Sequence, residues 1–463
     1  MAHAQKTAGT HPTPRSKLLS ANLLRKLFPP HVELVPQLNE VWELELAFYE
    51  SRILSEAEII RNGAFFARVG EQFTRHFLMC RGDPVKVPQY TSSRLRSFFK
   101  TNQFKTGYGT HGLFPYRGKF HPQMVKGLLN VMGLKPGDTV LDPMMGSGTV
   151  LIEATLMGIN SVGIDASPFC RFMAQTKLEG LTMALDPVRR AVENPQPLFD
   201  HFAAQLDGAV PRGRRRKADQ GQRRLFECEG QVETPRELSS CLPRWCGRED
   251  SRNFLLLAFL DAVGYTERSQ KRSLYQNFAS ILQRYLFVAE KIQTVLAGAE
   301  QELGLARALE GDARDLSLGD SSIDGIVFSP PYSFAIDYLA NDAPHLRFLG
   351  TDMDELRQRA MIGLRGTSLR KKYELYKEDM QKVLSECARV LKTGGICTIV
   401  VGTNNNQLSR ILGVRPEQVT GIQDIVVELG KLVGLRLARR LERQITGMAN
   451  TMRTEYIVML ERC

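Results

Sequence analysis

The sequence lacks any cysteine pattern that could hold zinc. Cys228, Cys241 and Cys246 come nearest to a cluster, but their spacing fits no tetrahedral site. The eight cysteines are read as free thiols in a reducing cytoplasm. Long apolar runs are also missing. "FLLLAFLDAVG" and "ICTIVVG" are the longest candidates, far short of the roughly 20 residues of a membrane helix, so no membrane partner is expected. The opening "MAHAQKTAGTHPTPRSK" has no apolar core of a secretion signal. Its lack of acids is shared with organelle transit peptides, but residues 1–20 are read as a disordered basic tail. There is no internal repeat, the glycine turn after Asp142 lacks the G-x-G-x-x-G spacing of the dinucleotide fingerprint, and no Gly-Lys-Ser/Thr of a P-loop is present.

The 463 residues allow one large elaborated domain or two to three smaller ones. Sixty-one Lys and Arg oppose fifty Asp and Glu, a net charge of +11. That suits a polyanionic partner, though charge alone fits an ordinary basic protein equally well.

Residues 20–104 read as a largely helical region, and the aromatic and basic stretch "SSRLRSFFKTNQFKTGYGTHGLFPYRGKF" that runs across its end reads as a loop. From residue 139 short apolar strands alternate with amphipathic helices. "TVLDPM" and "SVGIDA" are strands. "GTVLIEATLMG" and "SPFCRFMAQTKLEGL" are helices, the second opened by Ser167 and Pro168. This alternation predicts an α/β fold with a mainly parallel sheet. It breaks at 185–303, a basic and helical insertion. There "PRGRRRKADQGQRR" reads as a mobile loop whose run at 212–217 is suited to phosphate contact, and 253–303 as core helices. Strands resume with "ALEGDARDL", "SIDGIVFSPPY" and "GGICTIVVGTN". The helices "YELYKEDMQKVLSECARVLK" and "PEQVTGIQDIVVELGKLVG" intervene, and two final strands close the chain. The halves of the core are thus 105–184 and 304–463.

Three acids, Asp142, Asp165 and Asp312, each close a predicted strand. In such sheets ligands bind beyond the carboxyl ends of the strands. After Asp142 the turn "PMMGSGT" is small and flexible, and it opens a helix whose free N–H groups favour an acceptor. Asp165 is placed to accept ribose hydroxyls. Singly, each acid could be only a loop cap. "IVFSPPYSFAIDY" ends a buried strand on two prolines, neither with an N–H to give. His111 and His121 have no partner at metal spacing, and His345 is read as helix packing before substrate contact.

These stretches together carry a family resemblance. "DPMMGSGT", the preceding "GTHGLFPYRGKFHPQMV" and "GDARDLSLGDSSIDGIVFSPPY" resemble the motifs of S-adenosylmethionine-dependent amino-methyltransferases of nucleic-acid bases. The likeness spans roughly residues 105–180 and 307–463, and Met144 replaces a commoner aromatic. It implies a Rossmann-like methyltransferase fold with a seven-stranded, mainly parallel sheet whose last strand inserts antiparallel. It implies S-adenosylmethionine as cofactor, with no metal. Phe120, His121 and Pro122 would cover the cofactor. Asp142, Pro143, Gly146, Ser147, Gly148 and Thr149 would approach its methionine part, Asp165 its ribose, and Asp312 with Ala313 its adenine. Ser329, Pro330, Pro331 and Tyr332 would form the catalytic motif. The Ser329 hydroxyl and Pro330 carbonyl would accept from the target amine, the prolines would fix them, and Tyr332 would stack on the base. Ser-Pro-Pro-Tyr resembles the N4-cytosine DNA enzymes, so DNA is the first expected partner and RNA the second. A binding protein of the same fold without catalysis is the reading from another class. No target-recognition domain is identifiable by pattern, and the 185–303 insertion is one candidate for that role.

Overall fold

The computed structural model describes residues 26–36, 38, 40–81, 107–116, 118–208, 248–269, 271–298, 302–331, 337–359, 361–444 and 454–463. Tyr332, the basic run at 212–217 and most of the aromatic loop before residue 107 lie outside them. No helix among the described residues is long and apolar enough to cross a membrane.

The N-terminal region contains β1 (Val32–Leu34), α1 (Val41–Ile53), α2 (Glu56–Asn62), β2 (Phe66–Val69), β3 (Gln72–Phe73) and α3 (Arg75–Cys80). The helical expectation holds for α1 and α2. It fails at "FARVGEQF", which is a hairpin. Gly63 ends α2 in extended backbone, and Gly70 turns the chain at φ +56°. β1 and β3 then pair antiparallel with β2. Aromatic and β-branched residues suit a pleated, half-buried surface, and tertiary packing overrides a helical period in so short a segment. Phe65 and Phe66 are fully buried there.

A short 3-10 turn, Gly109–Gly112, leads to α4 (Pro122–Val131). The main sheet begins with β4 (Thr139–Asp142), α5 (Thr149–Leu156), β5 (Asn160–Asp165) and α6 (Pro168–Glu179). The Ser167 hydroxyl accepts from the Cys170 amide as the N-cap of α6. Next come α7 (Asp186–Glu193), α8 (Gln196–Gly208), α9 (Glu249–Arg268) and α10 (Leu274–Ala297). These helices enter one core with Leu113, Phe114, Phe169 and Met173, so the insertion packs directly on the covering segment and α6.

The chain returns through β6 (Ala306–Glu310), β7 (Ile323–Phe328), α11 (Tyr338–Phe348), α12 (Met353–Arg359), α13 (Leu369–Val390) and β8 (Leu391–Gly402). It ends with α14 (Asn405–Leu412), α15 (Ile422–Leu432), β9 (Leu435–Gln444) and β10 (Thr454–Arg462). The sequence reading missed α14, whose N-cap Asn404 accepts from the Gln407 amide. It also began α15 too early. Pro416–Gln418 is a separate 3-10 turn, and Gly421 stands as the N-cap of α15.

The seven strands run in the order β6-β5-β4-β7-β8-β10-β9. β10 lies antiparallel between β8 and β9, and the other described pairings are parallel. The expected sheet, with its inserted last strand, is therefore present. Alternate side chains of its central strands point to opposite faces. Val140, Val327 and Val400 enter one core with α4 and α5; Leu141, Ile326 and Ile399 enter another with α13 and α15.

Candidate active site

The carboxyl ends of β4, β5, β6 and β7 open into one cleft. It holds some 990 Å³ of space, open solvent at its mouth included. Its floor is the turn after β4. Gly146 and Gly148 take φ +48° and +75°, a region that favours glycine. The Met145 amide donates to the Ile164 carbonyl and the Gly148 amide to the Met145 carbonyl, which fixes the turn against β5. Asp165 joins this turn to the next one. Its carboxylate accepts the Gly146 amide at 2.8 Å and the Ser167 amide at 2.9 Å. A methyl group on Gly148 would stand 2.8 Å from the Ala174 Cβ. Gly148→Ala should therefore cost about 1–3 kcal/mol through backbone strain and collision, read as a lowered unfolding midpoint.

Of the expected residues, Phe120, Pro143, Gly146, Ser147, Thr149, Asp165, Ala313, Ser329 and Pro331 line the cleft. Others stand behind it. Asp142 is 1% exposed, accepts the Met144 amide at 3.1 Å, and is pushed well above the ordinary carboxylate range by burial. His121 is the N-cap residue of α4, with its ring edge-on to Trp42, and Pro122 is buried at the first turn. Pro330 is buried under the motif. Gly148 packs against α6.

The Asp312 carboxylate faces Arg314, which donates to both oxygens through Nε and Nη2 at 2.9 and 2.6 Å. Burial raises its pKa, but Arg314 outweighs that and holds the carboxyl below its ordinary value. Its neighbours Gly311 and Ala313 are the residues of that turn that line the cleft. His111 Nε2 donates to the Glu153 carboxylate inside the core, away from the cleft. His345 is 1% exposed, stacks on Phe169 at 4.6 Å, and is held neutral by burial, which lowers its pKa to about 3. It is a packing residue.

At the far wall, the Ser-Pro-Pro turn leaves β7. The Ser329 hydroxyl donates to the Val400 carbonyl at 2.9 Å. Its only proton is thereby committed to β8, and its oxygen lone pairs are left to accept.

Among the cleft residues that escaped the sequence reading as site residues are Tyr116, Cys170 and Asp342. The Tyr116 hydroxyl lies 3.4 Å from the Cys170 sulfur. Asp342, on α11, is 7% exposed, and burial with the nearby Asp165 charge raises its pKa to about 7. Tyr116 lies inside the covering segment and Asp342 three residues before His345, but no local period marks either as facing a cleft.

A Rossmann-like sheet with an inserted antiparallel last strand, and a ligand cleft over its first glycine turn, defines the methyltransferase class of α/β proteins. Comparison with known proteins agrees. Residues 113–223 match the family model described as RMKL-like, methyltransferase domain (UPF0020). A type II methyltransferase of Methanocaldococcus jannaschii, M.MjaII, is 51% identical over 107 residues, 22% of this chain and 20% of that protein. The type II methyltransferase M.BsoBI of Geobacillus stearothermophilus is 24% identical over 297 residues, 54% of each chain. A tRNA (guanine(10)-N2)-dimethyltransferase of Methanothermobacter thermautotrophicus is 46% identical over 52 residues, 11% of this chain and 16% of that protein. The chain thus spans about half or less of the length of these relatives. The resemblance to base-modifying methyltransferases is borne out by these matches.

S-adenosylmethionine is the cofactor that goes with this domain. The residues present fit it. Gly146 leaves open the space toward Tyr116 that a side chain would fill, and Asp165 keeps lone pairs beyond its two backbone bonds.

Proposed function

We propose that the protein transfers a methyl group from S-adenosylmethionine to an exocyclic amino group of a nucleic-acid base, with N4 of cytosine in DNA as the first substrate. The observation that carries this reading is the Ser329 hydroxyl, turned by the Val400 carbonyl into an acceptor at the edge of the cofactor cleft. When bound, S-adenosylmethionine supplies a methyl group already activated on a sulfonium. The protein's task is to make a poor nucleophile adequate. An exocyclic amine delocalises its lone pair into the ring, and accepting its N–H bonds localises that pair on nitrogen. The Ser329 oxygen and the Pro330 carbonyl would be the acceptors. Pro330 and Pro331 hold them without reorganisation, which is where such electrostatic assistance gains its strength. Tyr332 would stack on the base. A base in a duplex must first leave the stack to reach such a cleft.

A second reading, a base of structured RNA, is favoured by the match to the transfer-RNA enzyme. The insertion at 185–303 is the candidate substrate-recognition element under either reading. One assay separates them. Labelled S-adenosylmethionine is offered with duplex DNA, single-stranded DNA and total RNA in turn, and the products are digested to nucleosides for mass spectrometry. N4-methyl-deoxycytidine is the expected product. A methylated ribonucleoside would keep the chemistry and move the substrate to RNA. No transfer to any of the three would sink the catalytic reading in favour of a binding protein of this fold.

A further inference from the structure

Three carboxyl groups crowd the cofactor end of the cleft. Asp142 is sealed beneath the glycine turn, whereas Asp165 and Asp342 line the open space. Backbone amides partly satisfy Asp165. Asp342 has the neutral Tyr116 hydroxyl beside it. Among the described residues, no ion pair joins either carboxylate to a cation of the protein.

The groups facing Asp342 come from every element around it. Asp165 closes β5, Tyr116 belongs to the covering segment, Cys170 lies on α6, Arg268 ends α9, and His345 follows on α11. Arg268 is exposed, and its pull on Asp342 is weaker than burial or the Asp165 charge. Burial keeps Cys170 a thiol and His345 neutral. Buried charges are costly unless paired, and like carboxylates disfavour each other. Lys119 also lines the cleft, with its Nζ donating to the His111 carbonyl, so the carboxylates face Lys119 and the weaker pull of Arg268 without an ion pair to either.

We propose that Asp342 selects the charge of the cofactor: its carboxylate favours the positively charged methyl donor over the uncharged-sulfur product, and so helps the cleft exchange one for the other. The inference rests on the methyl-transfer reading. S-adenosylmethionine carries a sulfonium and an ammonium against one carboxylate. After transfer the sulfur is a neutral thioether, and S-adenosylhomocysteine has lost that positive charge. The ammonium is common to both ligands, so its contribution cancels in the ratio of their affinities.

The test is calorimetric binding of both ligands to the full chain and to Asp342→Asn, at pH 6 and pH 8, with circular dichroism as the check of folding. Raising the pH ionises Asp342, whose pKa lies at about 7, so the donor-to-product affinity ratio should rise by about tenfold across that interval in the wild type. In Asp342→Asn the ratio should fall by about tenfold at pH 8 and become flat with pH, with product affinity changed less than about twofold. Equal weakening of both ligands would overturn the proposal, because that is the mark of a merely structural role. A donor-to-product ratio at pH 8 that loss of the carboxylate leaves unchanged would overturn it too, and Asp342→Ser, which also removes the carboxylate, decides the matter if Asp342→Asn fails to fold. Failure of the wild type to bind either ligand would sink the methyl-donor reading and this inference with it. Selective loss of the pH-dependent ratio supports both.

Discussion

Ser329→Ala should lower kcat for methyl transfer by about 10²–10³-fold, the scale of removing one preorganised hydrogen-bonding group from a reacting centre. S-adenosylmethionine affinity should change little, because the glycine turn, Asp165 and Phe120 are untouched. The reasoning is local. Ser329 follows the buried strand β7, and its hydroxyl proton is given to Val400 on the adjacent strand. Rotating that hydroxyl to donate into the cleft would abandon the bond to Val400. The side chain is thus held as an acceptor before any substrate arrives. Single-turnover rates together with calorimetric cofactor binding provide the check. A fully active Ser329→Ala would remove the hydroxyl from the mechanism and leave the Pro330 carbonyl as the sole assigned acceptor.

The second large effect concerns stability. Glu153→Gln should lower the unfolding free energy by about 3–5 kcal/mol, the cost of leaving one partner of a buried ion pair alone. Glu153 lies on α5, the helix that starts at the cofactor turn, and its side chain is fully buried. Its carboxylate accepts from the Tyr108 hydroxyl at 2.7 Å, meets His111 Nε2 at 2.7 Å, and pairs with Lys126 Nζ of α4 at 3.2 Å. Three segments of the chain are clamped through one residue. Burial pushes the carboxyl up, but Lys126, His111 and Tyr108 outweigh it and hold the pKa down to about 2. A carboxyl lowered in the folded state stabilises fully above its ordinary pKa, and that contribution is lost as the pH falls toward 2. His111, lowered to about 4 by burial, adds an acid penalty beginning near the ordinary histidine value. Denaturant unfolding at pH 7 and pH 4 should show wild-type stability falling on acidification. The fall should be smaller in Glu153→Gln. Lys126→Met combined with Glu153→Gln should cost less than the two single changes added, since no unpaired charge remains. A single-variant loss below about 1 kcal/mol would mean that water reaches the cluster.

Much of the molecule was legible in one dimension, and the readable parts share a cause. Strand β7 with its Ser-Pro-Pro end, the Ser167 cap of α6, the glycine turn after Asp142 and the paired last strands all follow from periodicity, caps and backbone freedom. Those are properties of neighbouring residues, and the chain carries them wherever it folds. Three acids at strand ends could likewise be placed at one sheet edge, because parallel strands bring their carboxyl ends together.

The partners of those acids were decided by the tertiary structure. Asp312 turns to Arg314, which also reaches Asp379 on α13. Asp165 binds two amides, and Asp142 sinks beneath the turn. Tyr116 and Asp342 meet at the cleft from segments far apart in the chain, and the "FARVGEQF" hairpin forms against β1 where a helical period had been read. The sequence by itself determined most of the elements of the core and which residue types stand at their ends. Which carboxylate is paired, which faces the cleft and which keeps its proton depended on distance through space and exclusion of water, and these exist only once remote segments have packed together.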